Sequence, residues 1–549
     1  MHTGKKDALH NHVRTAGRFA GWGRGLGTLR FALVAIVLLM TGCSMVGPDF
    51  VRPTAPLLDD WTETQSPGLS SGQTDDTDWW HVFNDPVLDN LIQKAYAQNL
   101  SLQVAGIRIY EARAQLGIAV GSLYPQQQTA SGGFSNNKLS TAAETPFIDG
   151  SFNALGLGFD AAWEMDIWGK FRRSVETGIA NLQASVASYD NVLVSLTAEV
   201  ARTYIVMRTL ERQLVIAKEN VALQEQSLRI AWVRCKEGAV TELDVAQAKS
   251  LLCDTQALIP RLESSLRKSQ NALAVLLGVL PGDLTGILNG PAVIPAASET
   301  VIVDIPNNLL RRRPDIRLAE LRIATQTPQI GVAKADLYPH FYLFGAIGWR
   351  SSDATSAFGK SSLGDIFSYK SLFWSVGPGF NWDVLNYGRI ENRVRVEDSR
   401  LQQLVVTYKD TVLNAQREVE DALVAFTRSR EEERFLRDSV TAAERSVKIS
   451  LIQYRDGLVD YQRVLDSERF LATQSNRLAE VSGQMSTYLV SAYKALGGGW
   501  ESREGKEILS VENRNQMTER TDWGRLLAPA GFKLPADDKD QRGWEWPDW

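Results

Sequence analysis

The 549-residue chain is poor in the side chains that most chemistry uses, with three cysteines and five histidines. Three of those histidines, His2, His10 and His12, lie near the start. His81 and His340 stand far apart, and no His/Cys/Asp/Glu cluster has metal-ligand spacing, which argues against a metal centre and against Ser/His/Asp or Cys/His catalysis. No G-x-S-x-G elbow occurs. No cofactor is expected, and the chain reads as a protein that is not an enzyme. Outside residues 31–40 no apolar run approaches the roughly 18 residues of a membrane helix, so a polytopic helical membrane protein is excluded while membrane-spanning strands are not. Charge is sparse at 22% against 44% hydrophobic residues, which excludes a disordered chain.

The first 42 residues carry Lys5, Lys6, Arg14, Arg18, Arg24 and Arg30 and then the apolar stretch Phe31 to Met40, the pattern of an export signal. MTGCS at 40–44 follows and resembles a bacterial lipobox, which makes Cys43 the expected lipid anchor. Without residues 1–42 the chain keeps 53 basic and 63 acidic residues, so nucleic acid is not an expected partner. Cys235 and Cys253 flank a turn at Gly238 on opposite helices, offset by roughly 12 Å along the axis, beyond disulfide reach.

Two long stretches lack both glycine and proline: Arg389 to Asp456, 68 residues, and Ile179 to Glu237, 59 residues. Helices of that length imply coiled-coil-like packing. Each ends at a glycine turn, Gly238-Ala239-Val240 or Gly457-Leu458-Val459, and returns as a second helical run, forming two helical hairpins. Trp163 answers Trp382, Gly238 answers Gly457 and Leu277-Gly278 answers Leu496-Gly497, each 219 residues apart; Leu123-Tyr124-Pro125 answers Leu337-Tyr338-Pro339 at 214. An internal duplication explains these offsets.

Between each Tyr-Pro and its tryptophan the period changes to 2. Leu155, Leu157, Phe159, Ala161, Trp163 and Met165 alternate with small or polar residues, and Leu372, Trp374, Val376, Phe380, Trp382 and Val384 do the same. With partner strands near 126–135 and 341–350 this predicts four strands per chain, with Trp163, Trp168, Trp349, Trp374 and Trp382 as an interfacial girdle. Four strands cannot close a barrel, and lipid does not tolerate an open edge, so the barrel must be shared. Two copies give eight strands and a filled interior; three give twelve and room for a channel, which predicts a homotrimer. Two segments mimic nucleotide sites. Gly156 to Ala161 matches G-x-G-x-x-A but lies inside the period-2 pattern, and ATSAFGKS at 354–361 is not followed by a helix, so neither is read as a site.

In the helix after the second turn, Gln462, Asp466, Arg469, Thr473, Asn476 and Glu480 form a polar stripe, while Val464, Leu471, Leu478 and Met485 form an apolar one beside Leu465, Ala472, Ala479 and Ser486. Together with shared strands, a polar stripe suits the wall of a water-filled helical tube.

CSMVGPDFVRPTAP at 43–56, DWWHVFNDPVLDNLI at 78–92, NLSLQVAGIRIYEARAQ at 99–115, LLGVLPG at 276–282, LLRRRPDIRLAE at 309–320 and IGVAKADLYP at 330–339 resemble the TolC-type outer-membrane factors of tripartite efflux pumps, in the OprM and NodT lipoprotein branch. The resemblance implies a mixed α and β membrane protein: a trimeric twelve-stranded outer-membrane β-barrel continuous with a long periplasmic α-helical barrel. It divides the chain into a signal peptide (1–42), a lipid-anchored segment (43–80), a first repeat (81–280; β-hairpin about 126–166, tip near 238), an equatorial connector (281–305), a second repeat (306–497; β-hairpin about 341–385, tip near 457) and a tail (498–549). The implied role is a passive duct in the outer membrane, extending into the periplasm and conducting drugs or other small molecules. The implied partners are a periplasmic adaptor, an inner-membrane transporter and outer-membrane lipid. A protein-secretion channel is the alternative within the family, and a structural coiled-coil lipoprotein the alternative outside it. By the same resemblance Gly238, Ala239, Val240, Gly457, Leu458 and Val459 dock the adaptor. The gate is expected at Asp466, where the family carries an aspartate, with Tyr454, Arg455, Gln462 and Arg469 beside it. Three copies of Asp466 around the axis would form a cation-attracting ring.

Overall fold

The computed structural model describes residues 45–527, apart from 64–65, 67–68, 73–76, 139, 141–150, 289–292, 297–300, 304–311, 357–358, 361 and 505. Cys43, the export signal and residues 528–549 lie outside the described residues. In chain order the main elements are α1 (Pro86–Gln98), α2 (Leu100–Gly121), β1 (Gln127–Lys138), β2 (Ser151–Met165), α3 (Lys170–Lys236), α4 (Glu242–Leu276), α5 (Pro314–Ala335), β3 (His340–Ser352), β4 (Leu372–Asn381), α6 (Arg389–Arg455), α7 (Tyr461–Ala495) and α8 (Val511–Arg520). They divide between two compact units.

The first unit gathers the described residues within 45–50, 117–177 and 326–400. Its centre is an antiparallel sheet in the order β1-β2-β3-β4, in which β2 and β3, from different halves of the sequence, join the two hairpins. Ala130, Phe159, Ile347 and Trp374 lie opposite one another, as do Gly132, Leu157, Trp349 and Leu372. Residues directly opposite share a face. These rows, with Trp163 opposite Leu343 and Phe341 opposite Phe380, therefore make one face apolar, while Thr129, Asp160, Ala346 and Ser375 share the other. The apolar face is exposed: Trp374 is 70% and Phe380 71% accessible. Gly377 and Gly379 leave room for the Phe344 ring, whose atoms come within 3.4 and 3.5 Å of where a Cβ would stand. The segment 156–161 runs straight through β2, and in the second nucleotide look-alike Thr355–Ser356 pairs antiparallel with Gly359–Lys360.

At one end of the sheet the indole of Trp163 donates to the Leu123 carbonyl (3.1 Å) and that of Trp382, just past β4, to the Leu337 carbonyl (3.0 Å). Trp168 stacks on Tyr338 and donates to Pro339. Residues 45–49 are pinned here as well. Val46 N–H donates to Trp168 O, and Arg173 reaches the Val46 and Gly47 carbonyls and the Asp49 carboxylate. The backbone passes so close that a Cβ on Gly47 would sit 2.4 Å from Gly331 Cα.

The second unit gathers the described residues within 51–116, 178–325 and 401–527. Helix lengths recur: α3 and α6 have 67 residues, α4 and α7 have 35, and α2 and α5 have 22. At 1.5 Å per residue α3 and α6 are each about 100 Å long. Helix α3 begins at Lys170, ahead of the glycine-free stretch, and passes through Gly178, where a Cβ would meet Leu116 at 3.0 Å. Pro260 and Pro328 are accommodated inside α4 and α5. The core includes Leu88, Leu91, Ile109, Leu193, Tyr204, Val412 and Leu489. Asp85 caps α1 through Val87 N–H and accepts from the Tyr204 hydroxyl at 2.7 Å. The tail folds onto this unit: Arg503 makes a buried two-pronged ion pair with Asp190, and Leu509, Met517 and Leu527 cluster with Tyr110.

Candidate functional site at the hairpin tips

Both helical hairpins end in the same local device. Gly238 and Gly457 have φ of +73° and +79°, a left-handed conformation that glycine adopts without the Cβ clash. The next residue's N–H returns to a helical carbonyl, Ala239 to Arg234 and Leu458 to Gln453, closing both helices alike. The two tips then pack together, with Ala231, Ala248, Leu251, Tyr454, Tyr461, Val464 and Leu465 as their shared core. Val240 and Val459 turn into this cluster, whereas Ala239 and Leu458 face outward, Leu458 at 73% exposure. The six residues expected at the docking surface are thus brought together, Val240 and Val459 pointing inward, Ala239 and Leu458 outward, and Gly238 and Gly457 forming the exposed turns.

Tyr454 is fully buried, and its hydroxyl donates to Asp244 of α4 at 3.1 Å. Burial first, and the adjacent Asp244 second, push this phenol well above its ordinary value. Arg234 of α3 donates to the Tyr454 carbonyl and lays its guanidinium 4.6 Å from the centre of the ring. Tyr461 meets the same ring edge-on at 5.3 Å. One tyrosine therefore ties α6 to both α3 and α4.

The polar stripe of α7 is laid out as its spacing implies. Gln462, Asp466, Arg469, Thr473 and Glu480 are exposed and Asn476 is half-buried. Asp466 accepts from Gln462 at 2.9 Å, one turn earlier, and Arg455 turns to Asp456. Asp466, Gln462 and Arg469 share the exposed face; Tyr454 lies behind it in the tip core, so the five expected gate residues do not form one cluster. Asp244, Arg234 and Glu468 escape a sequence reading. Glu468 occupies the apolar side of α7, four residues after Val464, and that intrusion of a charge into an apolar stripe is the signal that could have marked it.

The family described as "Outer membrane efflux protein" matches residues 91–279 and 305–498. "Nodulation protein T" of Rhizobium leguminosarum bv. viciae is 30% identical over 476 residues, covering 86% of this chain and 94% of the relative. "Cation efflux system protein CusC" of Escherichia coli O6:H1 is 29% identical over 85% of this chain and 98% of its own length. The solved structure of the outer-membrane channel OprN superposes with a TM-score of 0.76 at 30% identity, over 83% of this chain and 99% of that one.

Proposed function

This chain belongs to the outer membrane efflux protein family, and from that premise we propose that three copies pool their strands into a twelve-stranded barrel and their long helices into a tube. As a member of that family it is the outer-membrane exit component of an efflux system. The observation that carries the shared barrel is the sheet: one face is apolar and exposed, and β1 and β4 have no further ladder on their outer edges among the described residues. Unpaired backbone in lipid costs several kcal/mol per group, and closure between copies removes both edges. Native mass spectrometry in detergent tests this: a trimer is expected, and a stable monomer with full β content overturns it.

Matching helix lengths, the paired glycine turns and the two indole hydrogen bonds support an internal duplication. We assign the cargo to small molecules passing along the polar stripe of α7, with Asp466, Gln462 and Arg469 facing the axis at the narrow end. Tyr454, held by Asp244 and Arg234, keeps the two hairpins together there, with Arg455 at the adjoining turn. A periplasmic adaptor, coupled to an inner-membrane transporter, engages the tips through Ala239 and Leu458, while Val240 and Val459 support them from the tip core and Gly238 and Gly457 form the turns. Lipidation of Cys43 is supported by residues 45–49, which are fastened to the end of the sheet and so would deliver an acyl chain at the edge of the membrane-facing strands.

A further inference from the structure

Behind the tip core, α3 and α7 enclose four polar side chains. Gln224 and Ser227 come from α3, Tyr461 and Glu468 from α7, and none is more than 2% exposed. Leu228, Ala231, Val464 and Leu465 make the neighbouring positions apolar. Ser227 and Tyr461 hydroxyl oxygens are 3.2 Å apart and satisfy each other. Both carboxyl oxygens of Glu468 and both amide atoms of Gln224 are buried without a protein hydrogen bond. The charged and titratable groups around this seam are already engaged or turned away. Asp244 of α4 holds the hydroxyl of Tyr454 of α6, Arg234 of α3 holds the same tyrosine's carbonyl and ring, Tyr461 is paired with Ser227, and Arg469 lies on the exposed face of α7.

A carboxylate in such a place lacks both solvent and a cation, and burial opposes its ionisation while the helices stay packed. Burial accordingly pushes the Glu468 carboxyl up to about 7, with the nearby Ser227 hydroxyl pulling the other way. Once ionised, the group is stabilised only if the seam admits water.

We propose that Glu468 is a proton-operated latch of the duct: protonated, it lets α3 and α7 pack and the tips stay closed; ionised, it hydrates the seam and parts the two helices. The proposal rests on the duct reading. Taking 4.5 as the hydrated carboxyl's ordinary value and about 7 in the seam, each protomer's open-to-closed ratio rises about tenfold between pH 6 and pH 8 and levels off above.

The test is planar-bilayer recording of the purified full-length protein from pH 5 to 9, wild type beside Glu468→Gln and Asp466→Asn. Wild type should show a rise of at least about tenfold, Asp466→Asn should keep it, and Glu468→Gln, nearly the same shape but never ionised, should stay closed and flat. A wild-type profile in Glu468→Gln, or its loss in Asp466→Asn alone, overturns the latch. Should no variant conduct at any pH, the duct reading itself fails, and amide hydrogen exchange then decides the latch independently. Residues 224–231 and 461–468, corrected for intrinsic rates, should lose protection above pH 7 in wild type and not in Glu468→Gln; equal protection in both overturns it.

Discussion

The Tyr454 hydroxyl donates to the Asp244 carboxylate at 3.1 Å, joining residues 210 positions apart and linking the second hairpin to the first at the tips. A hydrogen bond to a charged acceptor contributes about 1.5–3 kcal/mol, and this one is part-buried. Tyr454→Phe removes it while keeping the ring against Tyr461 and Arg234, so the closed state should lose roughly one to two orders of magnitude in population. Single-channel open probability reads this, and an open probability equal to wild type would show that the bond does not hold the tips.

Asp466→Ala removes a carboxylate from an exposed face while leaving the tip core untouched. If three copies surround the axis, cation-over-anion permeability should fall and conductance should rise, because a ring of like charge both attracts cations and sets the barrier. Reversal potentials in asymmetric KCl measure the change; an unaltered ratio would place Asp466 away from the pore.

Leu458→Glu and Ala239→Glu alter outward-facing residues and should abolish efflux in cells while trimer yield stays the same. Val459→Glu is a different experiment. Its side chain packs on the tip core, where an unpaired charge costs several kcal/mol, so reduced yield is expected there. Drug resistance undiminished by Leu458→Glu would remove the docking role.

Cys43→Ala should lose incorporated palmitate. If the strands close into a barrel as proposed, they supply a second anchor, and membrane insertion should persist. Label retained by the variant would refute the assignment.

Arg503 and Asp190 test the tail. Arg503→Ala leaves the Asp190 carboxylate buried without its partner, and burial already raises that group's pKa, so roughly 3–5 kcal/mol of stability should be lost. Asp190→Asn combined with Arg503→Met should recover much of it. Thermal unfolding of the detergent-solubilised protein measures both, and an unaffected Arg503→Ala would show that the tail is dispensable for stability.

The elements read from local pattern were those that depend on local physics. A period of 2 places alternate side chains on opposite faces wherever a strand forms, glycine-free runs continue as helix, and Gly238 and Gly457 permit the left-handed turn almost regardless of surroundings. The polar stripe of α7 follows from 3.6-residue geometry alone, which is why Gln462, Asp466 and Arg469 share a face. The sequence by itself thus determined the strands, the helical hairpins, their turns and the exposed polar stripe. Tertiary structure alone decided that β2 pairs with β3, that Tyr454 packs in the tip core against Asp244 and Arg234, that Val459 points in while Leu458 points out, and that Glu468 is sealed between α3 and α7. The reason is the same in each case: periodicity specifies which side of an element is apolar, but burial, pairing and a carboxyl's protonation depend on which distant segment packs there.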